Sequence, residues 1–414
     1  MQRREMVLVL LPIHLGEPRV AGHETVVLRD LSMYAGRHKL KIAFLEACIR
    51  ASGLPIVDAI PRGCLFYDPL DYEALERFRA RSPNAPQELR TSFVLQERHL
   101  DELHARFDRP GVRQVQHRTF FEYAKRVYGI LEGVPSQDAL NRRRLPRDHS
   151  PAARAPCREL RELKREVVRW VEGRYAGNPG SCAELAGLPV TRRGALAHLR
   201  RFARDHLGDF GPYEDAIHDR DVFVHHSHCS FLLNVGLLTP RDVLEAARRA
   251  TDAPLSSREG LVRQVLGWRE YMRYIYRFHG ERLQRGLFDA SAPPFEDYVN
   301  ALDPSFVEGR TGIDPVDGEV AKLRRWAWAH HIVRLMVFLN HFHRQKVRLS
   351  DVYAFFMNHV ALDAYPWVMV SNLAAMGHFT VPGVPHFMRK RYVTGAGYLL
   401  RMSNYRRGPW CERW

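Results

Sequence analysis

A chain of 414 residues with 45% hydrophobic and 11% aromatic content can bury a sizeable core, enough for two or three domains or one large two-layer body. No window approaches the roughly 18 consecutive apolar residues of a membrane span, which excludes a transmembrane helix, and a formal net charge of +15 favours a polyanionic partner such as nucleic acid. The cysteines are scattered and form no Cys-x-x-Cys, which speaks against a zinc ribbon or a redox pair and for free buried thiols in a reducing compartment.

The opening stretch MQRREMVLVLLPIHLGE imitates a secretory signal. Its apolar run is short and lacks a small-residue cleavage site, so it reads as the first buried strand of a cytoplasmic protein. Short aliphatic runs at residues 6–11, 24–28 and 54–60, bounded by Pro, Gly and charge, predict strands. Between them residues 39–51 predict a helix with Ile42, Leu45 and Ile49 on one face. That alternation predicts an α/β N-terminal domain over residues 1–135, built on a Rossmann-like parallel sheet. Neither a G-x-G-x-x-G fingerprint nor a P-loop occurs. Residues 136–157, rich in Arg, Pro and Ala without apolar periodicity, predict a linker. From 158 to 414 the pattern predicts an all-α domain. Its helices cover 158–174, a stretch starting at Thr191, 240–249 with Thr239 as N-cap, 261–276, 320–342 and 350–361.

Three stretches could carry chemistry. In residues 261–276, Leu261, Val265, Trp268, Met272 and Ile275 form an inward stripe, with Arg263, Glu270 and Arg273 off it; on spacing alone this is an amphipathic helix. In residues 327–376, His330, His331, Arg334, Asp363 and Asn372 are embedded in aromatic and apolar residues. Buried polar groups need partners, so these side chains predict a polar-edged cavity. Adjacent histidines on one helix lie about 100° apart, so at most one of the two faces a cavity squarely; spacing alone gives one core and one surface histidine. In residues 225–240, His225, His226, His228 and Cys229 are too close in sequence to converge on a metal without strain, and no metal site is predicted. Residues 386–414 hold seven Lys/Arg (Arg389, Lys390, Arg391, Arg401, Arg406, Arg407, Arg413) against Glu412 alone, a basic footprint for nucleic acid.

The strings GWREYMRYIY (267–276), AHHIVRLM (329–336), DAYPWVMVSNLAAM (363–376) and GRHKLKIAF (36–44) together resemble the cryptochrome/photolyase family, in particular its bacterial iron–sulfur (6-4) branch. The resemblance covers nearly the whole chain and is densest from 188 to 405. It implies an FAD-binding helical domain. Ser227 and Ser230 would hold the flavin phosphates, Asp363 and Asn372 would line the isoalloxazine site, Trp367 and Met376 would pack around it, and Arg334 belongs to the same set. It also implies a lesion cavity lined by Trp268, with Glu270 placed to bond a damaged base, His331 as proton donor, His330 supporting it and Tyr392 beside them.

The sequence departs from the family pattern at several places. His228 and Cys229 replace two leucines of the phosphate loop, and residues 11–15 (LPIHL) stand where an antenna-chromophore motif is expected. Pro315, Arg406 and Pro409 occupy three cluster-cysteine positions, so no iron–sulfur centre is expected; Cys411 alone cannot hold one. Val307, Phe355 and Phe356 stand where electron-hopping aromatics are expected, which leaves Trp326 and Trp328 as another route. The resemblance implies a light-driven DNA photolyase, a carbon–carbon lyase acting on UV-damaged DNA, with (6-4) specificity ahead of cyclobutane dimers. No membrane or protein partner is predicted. The alternatives are a cryptochrome-like photoreceptor and a non-catalytic nucleic-acid-binding relative.

Overall fold

A computed structural model describes residues 7–10, 24–29, 31–58, 65–67, 93–107, 115–151, 156–289 and 291–414. Four short strands, β1 (Val7–Leu10), β2 (Glu24–Leu28), β3 (Ile56–Val57) and β4 (Leu65–Tyr67), form a parallel sheet in the order β3-β2-β1-β4. Runs such as VLVL and ETVVL suit parallel strands, which are covered on both faces. The strand expected over 54–60 is reduced to Ile56–Val57; residues 59 and 60 lie outside the described residues, as do residues 11–15.

The helix Lys39–Ala51 crosses between β2 and β3. It is buried from Leu40 to Ile49 rather than on one face, because the helix Arg161–Arg174 packs over it. From residue 156 onward the described residues form helices, turns and two isolated bridges. Local chemistry fixes the helix starts. Thr191 Oγ1 accepts from Gly194 N at 3.1 Å, and Thr239 and Asp242 form a capping box on Pro240–Arg249.

Two predicted helices differ, and both differences shape the site. The helix expected over 261–276 runs from Leu255 to Phe288 and is interrupted by a π-helical turn at Arg263–Arg269. A π turn inserts an extra residue and shifts the phase of the helix beyond it. The element is also enclosed, with the helix His117–Tyr128 against its π turn. Arg263, Glu270 and Arg273, expected off the buried stripe, are therefore buried. The helix expected over 320–342 is broken. It ends at Trp326, capped by Ala327 in the left-handed region at φ 49°. A new helical turn begins at His331 and passes through a second π turn, Val333–Leu339. The break is stapled from outside: Leu362 N donates to the Ala327 carbonyl at 2.9 Å. His330 and His331 are thus not neighbours on one continuous helix; His330 sits in the break.

One apolar core joins Tyr34, Phe44, Phe120 and Phe121 with Phe231, Tyr271, Trp328 and Trp367. Residues on both sides of 136–157 therefore share it. That stretch keeps Arg142, Arg143 and Arg144 at the surface, while Asn141 is buried and donates to Glu214 at 2.7 Å. Among the described residues, no helix is long and apolar enough to cross a membrane.

Candidate active site

The two broken helices face each other across one cavity. Its wall is completed by the loop and short helix around residues 226–234 and by the segment 363–376, whose helix Pro366–Ala374 starts on a proline that suits a first turn. Of the residues singled out from sequence, Ser227, Ser230, Trp268, His330, His331, Arg334, Asp363, Trp367, Asn372 and Met376 all line this cavity.

Glu270 and Tyr392 do not line it. Glu270 is fully buried against the segment before the helix Glu97–Phe107, where it accepts from Val94 N at 2.7 Å and pairs with Arg273 at 3.4 Å. Burial pushes its carboxyl up, against the pull of Arg273. A group so enclosed braces the fold from outside the cavity lining. Tyr392 is half-buried outside the cavity lining; burial raises its hydroxyl, and Asp138, Arg142 and Asp215 are the charges it feels.

One ion pair dominates the cavity wall. Arg334 donates through one terminal nitrogen to both oxygens of Asp363, at 3.0 and 2.8 Å, and through Nε to the Ala329 carbonyl at 2.7 Å. The Asp363 loop is held from behind. Asn234 Nδ2 donates to the Asp363 carbonyl at 2.8 Å, and Lys41 Nζ donates to the Leu362 carbonyl at 3.0 Å while lying 3.9 Å above the Tyr365 ring. Burial lowers the Lys41 ammonium to about 7, with Asp363 pulling the other way. Arg269 lies over Trp367 at 5.3 Å and over Phe93 at 4.4 Å. Asn372 Nδ2 donates to Val368 O at 2.8 Å.

The histidines form a second group. His330 stacks on His226 with ring centroids 4.3 Å apart, and His331 meets the same ring edge-on at 5.3 Å. Both ring nitrogens of His330 are buried without a hydrogen-bond partner among the described residues. Burial holds His330 well below the ordinary histidine range; His331 is lowered to about 3, by burial first and then by Arg263 and Arg334. Both rings are therefore neutral near pH 7. Trp268 is stacked on His117 at 3.7 Å and 11°, a fixed flat wall. The loop before Ser230 is strained: Val224, His225 and His228 adopt φ of 42°, 64° and 50°. His228 packs on Phe231 and Trp328, and Trp328 Nε1 donates to Ser230 Oγ at 3.1 Å. Phe223 lies between Trp328 and Trp326, at 5.8 and 4.8 Å.

Sequence reading missed Lys41, Asn234, His226, Gln264, Arg269 and Asp215. Lys41 and Arg269 carried a signal, inside the strings at 36–44 and 267–276, and His226 stood in the histidine run at 225–228. Gln264 and Arg269 sit on the first π turn, which a 3.6-residue period does not show, while Asn234 and Asp215 come from segments outside both interrupted helices.

No protein-family model matches the chain. Over 250 residues it is 34% identical to the (6-4) photolyase of Agrobacterium fabrum, which covers 59% of this chain and 46% of that protein. Over 200 residues it is 25% identical to the deoxyribodipyrimidine photo-lyase of Escherichia coli, covering 45% of this chain and 42% of that protein. The chain is thus similar in sequence to photolyases and shares the fold of the cryptochrome/photolyase family. The matched regions span less than half the length of these two photolyases. The crystal structure of a Synechocystis cryptochrome superposes with a TM-score of 0.51 at 14% identity, covering 96% of this chain and 88% of that one, a likeness of fold. The small parallel sheet followed by a mostly helical body is thus the cryptochrome/photolyase architecture.

Proposed function

We propose that the chain is an FAD-dependent, blue-light-driven DNA photolyase that repairs UV pyrimidine photoproducts, with (6-4) photoproducts as substrate. The observation that carries this reading is the convergence of Arg334, Asp363, Asn372, Trp367, Met376, Ser227 and Ser230 on the same cavity as His330, His331 and Trp268. Those residues fit a flavin. The cavity offers ring surfaces, a fixed ion pair, hydroxyls and a buried imidazole whose nitrogens lack protein partners. Trp367, Met376, Asn372 and the Arg334–Asp363 pair would hold the ring system, and Ser227 and Ser230 the phosphates. When bound, the flavin supplies light-driven one-electron chemistry.

The chain's own part is to bind, orient and exclude water. Both carboxylate oxygens of Asp363 accept from one terminal nitrogen of Arg334, so the positive field in the cavity does not wander. Trp268, immobilised on His117, presents an apolar plane to a flipped base. Arg389, Lys390, Arg401, Arg406, Arg407 and Arg413 are exposed on the C-terminal stretch. The surface arginines 142–144 adjoin it, with Arg144 donating to the Leu400 carbonyl at 2.9 Å. DNA would lie on this basic surface mainly through phosphates, with an affinity that falls steeply with salt.

The test is repair of oligonucleotides carrying a (6-4) product or a cyclobutane dimer, under blue light and in darkness, with flavin-loaded protein. Light-dependent repair of the (6-4) strand alone is expected. Repair of the cyclobutane strand alone would move the specificity. A flavoprotein that photoreduces and repairs neither would be a photoreceptor.

A further inference from the structure

His331 opens the helical turn after the break, with its ring in the cavity wall. Its Nε2 lies 3.9 Å from Oδ1 of Asp215, and each side chain is about a quarter exposed, at 23% and 24%. The other carboxyl oxygen of Asp215 is 3.8 Å from Arg142 Nε. Glu214 next to it is occupied: it accepts from Asn141 at 2.7 Å, Gln264 at 2.5 Å and Arg263 at 3.1 Å. Of these two neighbouring acids, Asp215 is the one with solvent access and a histidine in front of it.

We propose that Asp215 is a positioning residue for His331, holding the proton that the imidazole passes into the cavity. The inference rests on the photolyase reading of that cavity. A cationic His331 is disfavoured there because the ring is partly enclosed and feels the charges of Arg263 and Arg334. A neutral imidazole still moves a proton, since it carries one N–H and one lone pair. The Asp215 carboxyl gives its proton to Nε2, and the ring releases the Nδ1 proton to a basic atom of the bound substrate. Asp215 is left as carboxylate and the ring as the opposite tautomer, and both are reset by proton exchange with water at the exposed edge. The 3.9 Å gap is closed by a small side-chain rotation or one bridging water.

The surroundings keep Asp215 suited to this task. Burial raises its carboxyl to about 7, helped by the negative charges of Glu214 and Asp138 and opposed by Arg142 and Arg263. The same cluster is faced by Tyr392 and Tyr398 from the C-terminal stretch, both hydroxyls raised by burial. Arg334 reaches His331 from its own turn. The carboxyl is thus half-protonated near neutrality, where a proton donor works best.

The test combines two readouts on wild type, Asp215→Asn and Asp215→Glu. The first is the single-turnover rate of light-driven repair from pH 6 to 9, with flavin-loaded protein and a (6-4) oligonucleotide. The wild-type rate should fall about tenfold per pH unit above neutrality. Asp215→Asn should be about 100-fold slower at pH 6.5 with no step near pH 7, and Asp215→Glu should recover most of the rate and the step. The second is a ¹⁵N-imidazole NMR titration without DNA. His331 should stay neutral yet report a shift near pH 7 that Asp215→Asn abolishes. Asp215→Asn repairing at the wild-type rate and pH profile would overturn the inference. So would a His331 signal with no step near pH 7 in the wild type, a measurement that needs no variant to fold. Wild type that repairs nothing but shows the step, lost in Asp215→Asn, would refute the photolyase reading and leave the proton pairing standing.

Discussion

Two acid–base pairs flank the helical turn that starts at His331, and they are built in opposite ways. Arg334 and Asp363 meet through both carboxylate oxygens at 3.0 and 2.8 Å, on a loop that Lys41 and Asn234 hold from behind. His331 and Asp215 face each other through one contact at 3.9 Å, among acids that crowd the carboxyl. The first pair is a saturated fixed charge. The second keeps hydrogen-bonding capacity unspent and a proton loosely held. Substitutions in the saturated pair should therefore act on stability and ligand retention, and substitutions in the loose pair on titration and rate.

The saturated side gives the largest expected effect. Asp363→Ala leaves Arg334 charged in a largely buried wall, and breaking such a pair costs about 3 kcal/mol. Urea unfolding should show that loss, and the purified variant should retain little flavin. Full flavin occupancy would show that the pair does not belong to a cofactor site.

Lys41 behind the loop comes next. Its folded value of about 7 lies below the ordinary lysine range, so between pH 7 and 10 the unfolded chain holds a proton that the folded chain has shed. Stability should rise with pH across that window, by at most about 1.4 kcal/mol per pH unit from this group. Lys41→Met should remove that rise in denaturation midpoints measured at pH 7, 8 and 9, and an unchanged slope would mean the ammonium is not held in this environment.

Glu270 separates bracing from recognition. Glu270→Gln weakens the bonds to Val94 and Arg273 and should cost about 1 kcal/mol of stability. The repair rate per folded molecule should stay within twofold. A selective loss of repair at unchanged stability would return Glu270 to the lesion. Smallest is the surface: Arg401→Gln and Arg406→Gln should each weaken DNA binding a few-fold and reduce the salt slope by about 1, measured by fluorescence anisotropy at several salt concentrations.

Much of the fold was legible because its signals are local. The aliphatic runs marked β1 and β2, residues 39–51 read as a helix, and Thr191 and Thr239 announced their helices. The composition of the cavity was legible too, since Arg334, Asp363 and Asn372 are expensive to bury without purpose. Its geometry was not. The break at Ala327 depends on a hydrogen bond from Leu362, 35 residues away in sequence, and the π turns shift the phase of both walls. That is why a continuous helix was expected through His330, and why Arg263, Glu270 and Arg273 were placed off the buried face. Asp215 carried no local signal; only the fold brings it to His331.

The most direct measurement is the absorption spectrum of the purified protein before and after heat release of its ligand, repeated after incubation with excess FAD. A flavin spectrum approaching one per chain, without a broad iron–sulfur shoulder and largely lost in Asp363→Ala, is expected. A wild-type protein that stays colourless with excess FAD would contradict the assignment of this cavity to a flavin.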